Sequence, residues 1–132
     1  MKKFVALCVM GLMASACQFA SAADLKSGLQ VDDYPGAFNV TDVTGPRAGK
    51  KLCYRCQYGD RPVVSVFVRR IDENTAKLVK QLDEVVGKHE EKKMAAFVTV
   101  LSDDPDAQES ALKKTADEQK ISHTPLTVFE NA

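Results

Sequence analysis

The chain has 132 residues, and its 18 acidic and 18 basic side chains give a formal net charge of zero. This balance excludes the strongly basic surface with which proteins neutralise nucleic acid, so we expect no nucleic-acid partner and no charged membrane surface as partner. The length fits a single domain preceded by a short N-terminal segment.

The N-terminal segment has the features of an export signal. Two lysines precede an apolar stretch over 4–16 that is too short to span a bilayer, and residues 20–22 are small, as signal cleavage requires. We therefore predict a signal peptide over 1–22 and an exported protein, periplasmic or extracellular. Cleavage before Cys17 would give a lipoprotein instead, but the leucine usual before such a cysteine is absent, so the first prediction is favoured.

The first strands are predicted from alternation and from β-branched runs. We expect a flexible lead-in over 23–36 and one domain over 37–132. Residues 37–43 alternate between apolar and polar, which is the two-residue period of a strand, and 51–53 begin another short extended piece. The apolar run over 63–68 is nearly continuous, so we expect a central strand that is covered on both faces and anchors the core.

The first long helix is predicted to start near Asp72 or Asn74 and to run to about His89. Aspartate and asparagine are good N-cap residues, and Gly87 near the end suits termination. Apolar side chains at spacings of three and four residues are expected to form its buried face: Leu78, Leu82, Val85 and Val86.

A second buried strand is predicted over 94–101, followed by a helix from Pro105 to about Gln119. Asp104 would cap that helix, with the proline at its first position. Its inward residues are expected to be Ala111, Leu112 and Ala116. The element order β, β, α, β, α, β predicts an α/β fold in which helical crossovers join parallel strands.

The segment over 121–129 resembles the cis-proline segment of thioredoxin-fold proteins, since a helix and a polar link lead into Thr124-Pro125 and an apolar strand. The resemblance extends over 28–130. The front half, with Gly28-Leu29-Gln30-Val31-Asp32, Phe38-Asn39-Val40-Thr41-Asp42-Val43-Thr44-Gly45 and Arg61-Pro62-Val63-Val64, resembles the redoxin and peroxiredoxin branch. It implies a thioredoxin-like sheet flanked by helices, with Thr124 and a cis Pro125 facing a redox site.

A narrower resemblance is carried by Leu52 to Pro62, which reads Leu-Cys-Tyr-Arg-Cys-x-Tyr-Gly-x-Arg-Pro, a motif similar to that of a subgroup of exported thioredoxin-like proteins. Two departures matter. No cysteine occurs over 69–75, where a peroxiredoxin has its peroxidatic thiol, so we predict that the protein is not a peroxidase. The chain stops at Ala132, so we also expect the C-terminal edge strand and closing helix to be missing, which would leave the strand over 126–129 with an exposed edge.

Beyond the predicted signal the only cysteines are Cys53 and Cys56, and an oxidising compartment would join them in a disulfide. They precede the strand over 63–68, so we expect a strand or turn setting rather than a helix N-terminus. Neighbouring cations would lower the pKa of a thiol. Five basic residues lie near the pair in sequence: Arg47, Lys50, Lys51, Arg55 and Arg61.

Three roles for the pair stay open. In the first, a thiol-disulfide oxidoreductase, Cys53 or Cys56 attacks a disulfide of a protein partner and the other cysteine resolves the product, supported by Arg55 and by docking on Thr124-Pro125. In the second, the bond is structural in a non-enzymatic binding or scaffold domain. The third is a metal site with His89 or His123, which is a poor zinc set. No cofactor and no metal are expected.

Overall fold

The structure is a computed structural model that describes residues 28–129. The predicted signal peptide over 1–22 lies outside the described residues. The chain separates into two compact units, 1–35 and 36–132. In the described part of the first unit the backbone turns at Asp32, and Asp33 closes the turn by bonding to Gln30.

The second unit contains a five-stranded sheet with the order β2-β1-β5-β4-β3. Strands β3, β4 and β5 are parallel, whereas β1 runs antiparallel to β5 and to β2. This arrangement confirms the predicted α/β fold with parallel crossovers. The strands are β1 (Val40–Asp42), β2 (Lys51–Leu52), β3 (Val63–Val68), β4 (Ala95–Val100) and β5 (Leu126–Phe129).

Three α-helices connect these strands, and the two long ones start where their capping residues predict. Asp72 accepts a hydrogen bond from the Thr75 amide at 2.8 Å, and Asp104 accepts one from the Ala107 amide at 3.1 Å. Pro105 is the first residue of the last helix, where its missing N–H costs nothing. The helices are α1 (Tyr54–Tyr58), α2 (Glu73–Lys88) and α3 (Pro105–Gln119), with a short 3-10 turn at Glu90–Lys92.

Strand β3 is neither central nor covered on both faces, so the prediction for 63–68 is wrong. Every residue of β4 is buried, whereas Phe67 of β3 is 48% exposed and Val64 is 37% exposed. The reason is position, because β3 pairs with β4 alone and forms an edge of the sheet. A β-branched run indicates a strand, but it does not indicate which strands flank it.

The predicted exposed edge at β5 is also wrong. Strand β5 lies between β4 and β1, and Thr41 pairs with Val128 across the antiparallel side. The partner strand therefore comes from the start of the domain, more than 80 residues earlier in the chain. Sequence periodicity carries no information about a pairing of that length.

Helix α2 buries only part of the predicted face, because Val86 is buried as predicted and Leu82 is half-buried. Leu78 is 53% exposed and Val85 is 39% exposed, while Val79 and Val86 are buried. The buried face also contains Asp83, whose carboxylate accepts hydrogen bonds from the backbone amides of the loop before β5. In α3, Leu112 and Ala116 are buried as predicted, whereas Ala111 is exposed.

The sheet separates two apolar clusters. On one face, which we call the helical face, α2 and α3 pack on aliphatic side chains of β4 and β5, namely Val98, Val100, Leu126 and Val128. The opposite face, which we call the aromatic face, carries Phe97, and α1 packs on it. The buried residues of this second cluster are Val40, Leu52, Tyr54 and Phe97. The cysteine pair lies beside the aromatic face.

Candidate functional site

The two cysteines form a disulfide at the start of α1. Their sulfurs are 2.11 Å apart, and Cys53 precedes the first residue of the helix. The Cys56 amide donates a hydrogen bond to the Cys53 sulfur at 3.1 Å. The predicted bond is therefore present, but the predicted strand or turn setting is wrong, because a single helical turn carries the pair.

The helical turn forms because its tyrosines lie four residues apart and both face the sheet. The Tyr54 ring stacks on Tyr58 with centroids 5.3 Å apart and on Phe97 at 5.6 Å. Residues four apart share one face of a helix, so this packing requires helical backbone between the two rings. The same turn places Cys56 on the exposed side, while Cys53 is half-buried.

A buried carboxylate anchors α1 to the first strand. The Tyr54 hydroxyl, on a side chain that is 2% exposed, donates to Asp42 Oδ2 at 2.7 Å. Asp42 also accepts from the amides of Gly45 and Arg47 at 2.7 and 2.8 Å. Burial raises the pKa of Tyr54, and the hydrogen bond to Asp42 raises it further. The phenol therefore keeps its proton and remains a donor at neutral pH.

Gly45 is required beside the hydrogen bond between Tyr54 and Asp42, because that place has no room for a side chain. A Cβ placed on Gly45 would lie 2.5 Å from the Tyr54 hydroxyl and 2.7 Å from either Asp42 oxygen. Any side chain at this position would displace the hydrogen bond. An aspartate with a glycine three residues later is a turn signal, so the hydrogen bond from the Gly45 amide to Asp42 could have been predicted from the sequence. The hydrogen bond of Asp42 to Tyr54, twelve residues away, could not have been predicted in this way.

The cations near the pair have different environments. Arg55 lies between the cysteines and is half-buried. Arg61 points elsewhere, since its Nε donates to the Lys93 carbonyl at 2.7 Å and its guanidinium lies 5.0 Å from the centroid of the Tyr58 ring. Burial raises the pKa of Tyr58 while the charge of Arg61 lowers it. Of these two cations, Arg55 is the one placed beside the disulfide.

Thr124 and Pro125 directly precede β5. They line a cavity of which neither Cys53 nor Cys56 is a lining residue. The described residues also contain no cis peptide bond, so the predicted cis Pro125 is wrong. The proline is buried, and its carbonyl accepts a hydrogen bond from the Val98 amide, which fixes its place beside β4.

The described part of the chain contains no set of metal ligands for the third role considered, a metal site. Within residues 28–129 no three His, Cys, Asp or Glu side chains are grouped closely enough to hold an ion. His89 bonds to the Val85 carbonyl through Nδ1, and His123 contacts Glu90. No helix among the same residues is long and apolar enough to cross a bilayer.

Comparisons with family models, with curated proteins and with solved structures find no match to this chain. The case for a function therefore rests on the geometry of the chain's own residues.

Proposed function

We propose that this protein exchanges thiols and disulfides with a protein partner through the Cys53–Cys56 bond. The observation that carries the proposal is the position of the bond, because Cys56 is an exposed residue of a helix that is anchored to the sheet. Reactive cysteines are partly exposed and lie near positive charge, whereas inert structural ones are buried. Arg55, which lies between the two cysteines in the sequence, supplies the nearest positive charge along the chain.

A purely structural role explains the bond less well. A disulfide that closes a loop this short stabilises by only about 2 kcal/mol on the chain-entropy estimate. Helix α1 is already held by the hydrogen bond between Tyr54 and Asp42 and by the stacking of Tyr54 on Phe97. The disulfide therefore adds little stability to α1, which these two contacts already hold against the sheet. A scaffold domain with a permanent disulfide is the alternative, and the reactivity of Cys56 separates it from exchange.

The geometry indicates which sulfur a partner attacks. A partner thiolate reaches Cys56 Sγ, the bond between the cysteines breaks, and Cys53 leaves as a thiolate that accepts the Cys56 amide hydrogen bond. The second thiolate of the partner dithiol then attacks the partner sulfur of the mixed disulfide, and the Cys56 thiolate leaves. The partner dithiol becomes a disulfide, the pair gains two electrons, and the protons lost by the partner pass to the two thiolates.

The thioredoxin-like assignment and the exported location belong to the same proposal. A Cys-x-x-Cys pair at the start of a helix, an α/β sheet with parallel crossovers, and a Thr-Pro step into a buried strand support the first. The second is supported by the lysines, the apolar stretch and the small residues of the N-terminal sequence. A disulfide persists in the oxidising compartments that export reaches.

The proposal is tested by the reactivity of Cys56 toward oxidised glutathione at pH 7. In the chain without the predicted signal over 1–22, Cys53→Ser leaves Cys56 as the reacting thiol. We expect it to form the mixed disulfide about tenfold faster than an ordinary exposed thiol, because cations favour its thiolate. The matched control replaces both cysteines with serine and carries Ser110→Cys on the exposed surface of α3. Equal rates for Cys56 and the control thiol would contradict exchange and leave the structural role.

A further inference from the structure

A second site is indicated at the end of the sheet where β4 and β5 begin. A cavity of about 750 Å³ opens there between the 3-10 turn that follows α2, the turn after β1 and the loop before β5. Its size lies within the range of pockets that hold small organic molecules. Neither cysteine lines it, although Tyr58 of α1 does, so the cavity is a site distinct from the disulfide.

The first feature that points to a ligand is a buried hydroxyl. Thr124 lines the cavity and is 2% exposed, and its Oγ1 has no hydrogen-bond partner among the described residues. A buried polar group without a partner costs free energy, and native structures seldom leave one without a reason. The oxygen itself has almost no accessible surface, so the Thr124 side chain would have to turn toward the cavity to bond to a ligand with an acceptor atom.

The second feature is a lysine held in an unfavourable backbone conformation. Lys93 lines the cavity and has a φ of 56°, in the left-handed region that favours glycine. Arg61 stabilises this conformation by donating to the Lys93 carbonyl at 2.7 Å. Strain of this kind occurs at functional sites. Within residues 28–129 no acidic side chain forms an ion pair with the Lys93 ammonium.

The remaining charged groups leave the cavity positive. Glu90 is the one carboxylate among its described lining residues, and its Oε1 lies 3.0 Å from His123 Nδ1. Gly87 makes room for that contact, because a Cβ there would lie 2.9 Å from His123 Nε2. The carboxylate is thus directed at the histidine, while the ammonium of Lys93 is left for a ligand.

We propose that this cavity binds a small organic anion with an apolar body and a carboxylate head. Lys93 would pair with the carboxylate and Thr124 would donate a hydrogen bond to it. The apolar body would lie against the aliphatic walls of the cavity, which are formed by Val86, Met94 and Ile121. The lining is polar and apolar in about equal parts, so its polar groups can fix the orientation of a ligand while the aliphatic walls hold its body.

The test uses phenylacetate and its neutral isostere phenylacetamide as probes, added to the uniformly ¹⁵N-labelled full chain and followed by amide chemical shifts. We expect saturable shifts centred on the amides of 93–95 and 122–124, with phenylacetate binding at least tenfold more tightly than phenylacetamide. Lys93→Gln should weaken phenylacetate binding by about tenfold. Lys92→Gln, the matched control one residue away and outside the cavity lining, should leave it unchanged.

Thr124→Val removes the hydroxyl without changing the shape of the side chain. We expect weaker phenylacetate binding by several fold with a thermal midpoint that is unchanged or higher, because the unbound hydroxyl has no partner to lose. Equal affinity for the two probes, equal effects at Lys92 and Lys93, or the absence of saturable shifts would each overturn the proposal. Replacing both cysteines with serine should not alter binding, so this result and the exchange experiment fail or succeed separately.

Discussion

The two faces of the sheet are stabilised by contacts of different range. On the helical face, α2 and α3 begin at their own caps, so where each helix starts is determined within a few residues of the sequence. On the aromatic face, the five-residue α1 is held by Phe97 and Asp42, which lie 43 residues after and 12 residues before Tyr54. The disulfide therefore depends on distant parts of the chain for its position.

The largest expected effect is the loss of the aromatic ring at the centre of that face. Phe97→Ala should lower the free energy of unfolding by about 3–5 kcal/mol, because it leaves a cavity where Tyr54, Tyr58, Phe38 and Phe67 now meet one ring. Val98→Ala on the helical face removes less volume and should cost about 2 kcal/mol. Denaturant unfolding of both variants measures the difference, and equal costs would contradict the comparison.

A smaller loss of stability is expected at Gly45, beside the hydrogen bond between Tyr54 and Asp42. Gly45→Ala forces a methyl group against the Tyr54 hydroxyl and Asp42, so it should destabilise the fold by about 1–3 kcal/mol. Gly36→Ala is the matched control, since a Cβ there meets nothing within 4 Å. Thermal unfolding compares the two. A Gly45→Ala midpoint equal to that of the control would show that Tyr54 is not held at Asp42.

Removing the disulfide should matter less than removing Phe97. Replacing both Cys53 and Cys56 with serine is expected to cost about 2 kcal/mol or less, because the closed loop is short and α1 keeps its anchor. Denaturant unfolding of the double variant gives the value. A loss as large as that of Phe97→Ala would mean that the bond holds α1 in place, as a structural disulfide does.

The smallest effect concerns a cap on the helical face and appears only in acid. The hydrogen bond from the Thr75 amide lowers the pKa of Asp72, so the stability this cap supplies is present above the ordinary carboxyl pKa and is lost as the pH falls through the lowered one. Asp72→Asn keeps an N-cap acceptor without a titrating group. Thermal midpoints from pH 7 to pH 2 should therefore fall less steeply in this variant. Parallel curves would refute the role of Asp72 in acid unfolding.

The predictions made from the sequence divide along the same line. The caps Asp72 and Asp104, the parallel crossovers and the bond between Cys53 and Cys56 are signals contained in short segments, and the structure has them all. The predictions that failed needed knowledge of distant partners. Strand β3 was placed at the centre because nothing in its residues reveals that β4 is its single neighbour.

Predictions about the candidate site also succeeded for local signals and failed for contacts between distant residues. The pair was predicted, but its helical setting was missed, because it arises from the packing of Tyr54 and Tyr58 on a strand that lies some forty residues later. Thr124 and Pro125 were assigned to the cysteines by resemblance, and the structure instead places them in a separate cavity. The partner of Asp83 in the loop before β5 could not be predicted either, and it explains why a carboxylate lies on the buried face of α2.

The reduction potential of the Cys53–Cys56 bond tests the central claim most directly. The purified protein is equilibrated in glutathione redox buffers, its free thiols are alkylated, and the oxidised and reduced forms are counted by mass spectrometry. A bond that exchanges with partners should have a potential between about −270 and −120 mV, the range of proteins that transfer disulfides. A potential below about −300 mV would mark a bond that resists reduction and would contradict the proposed exchange.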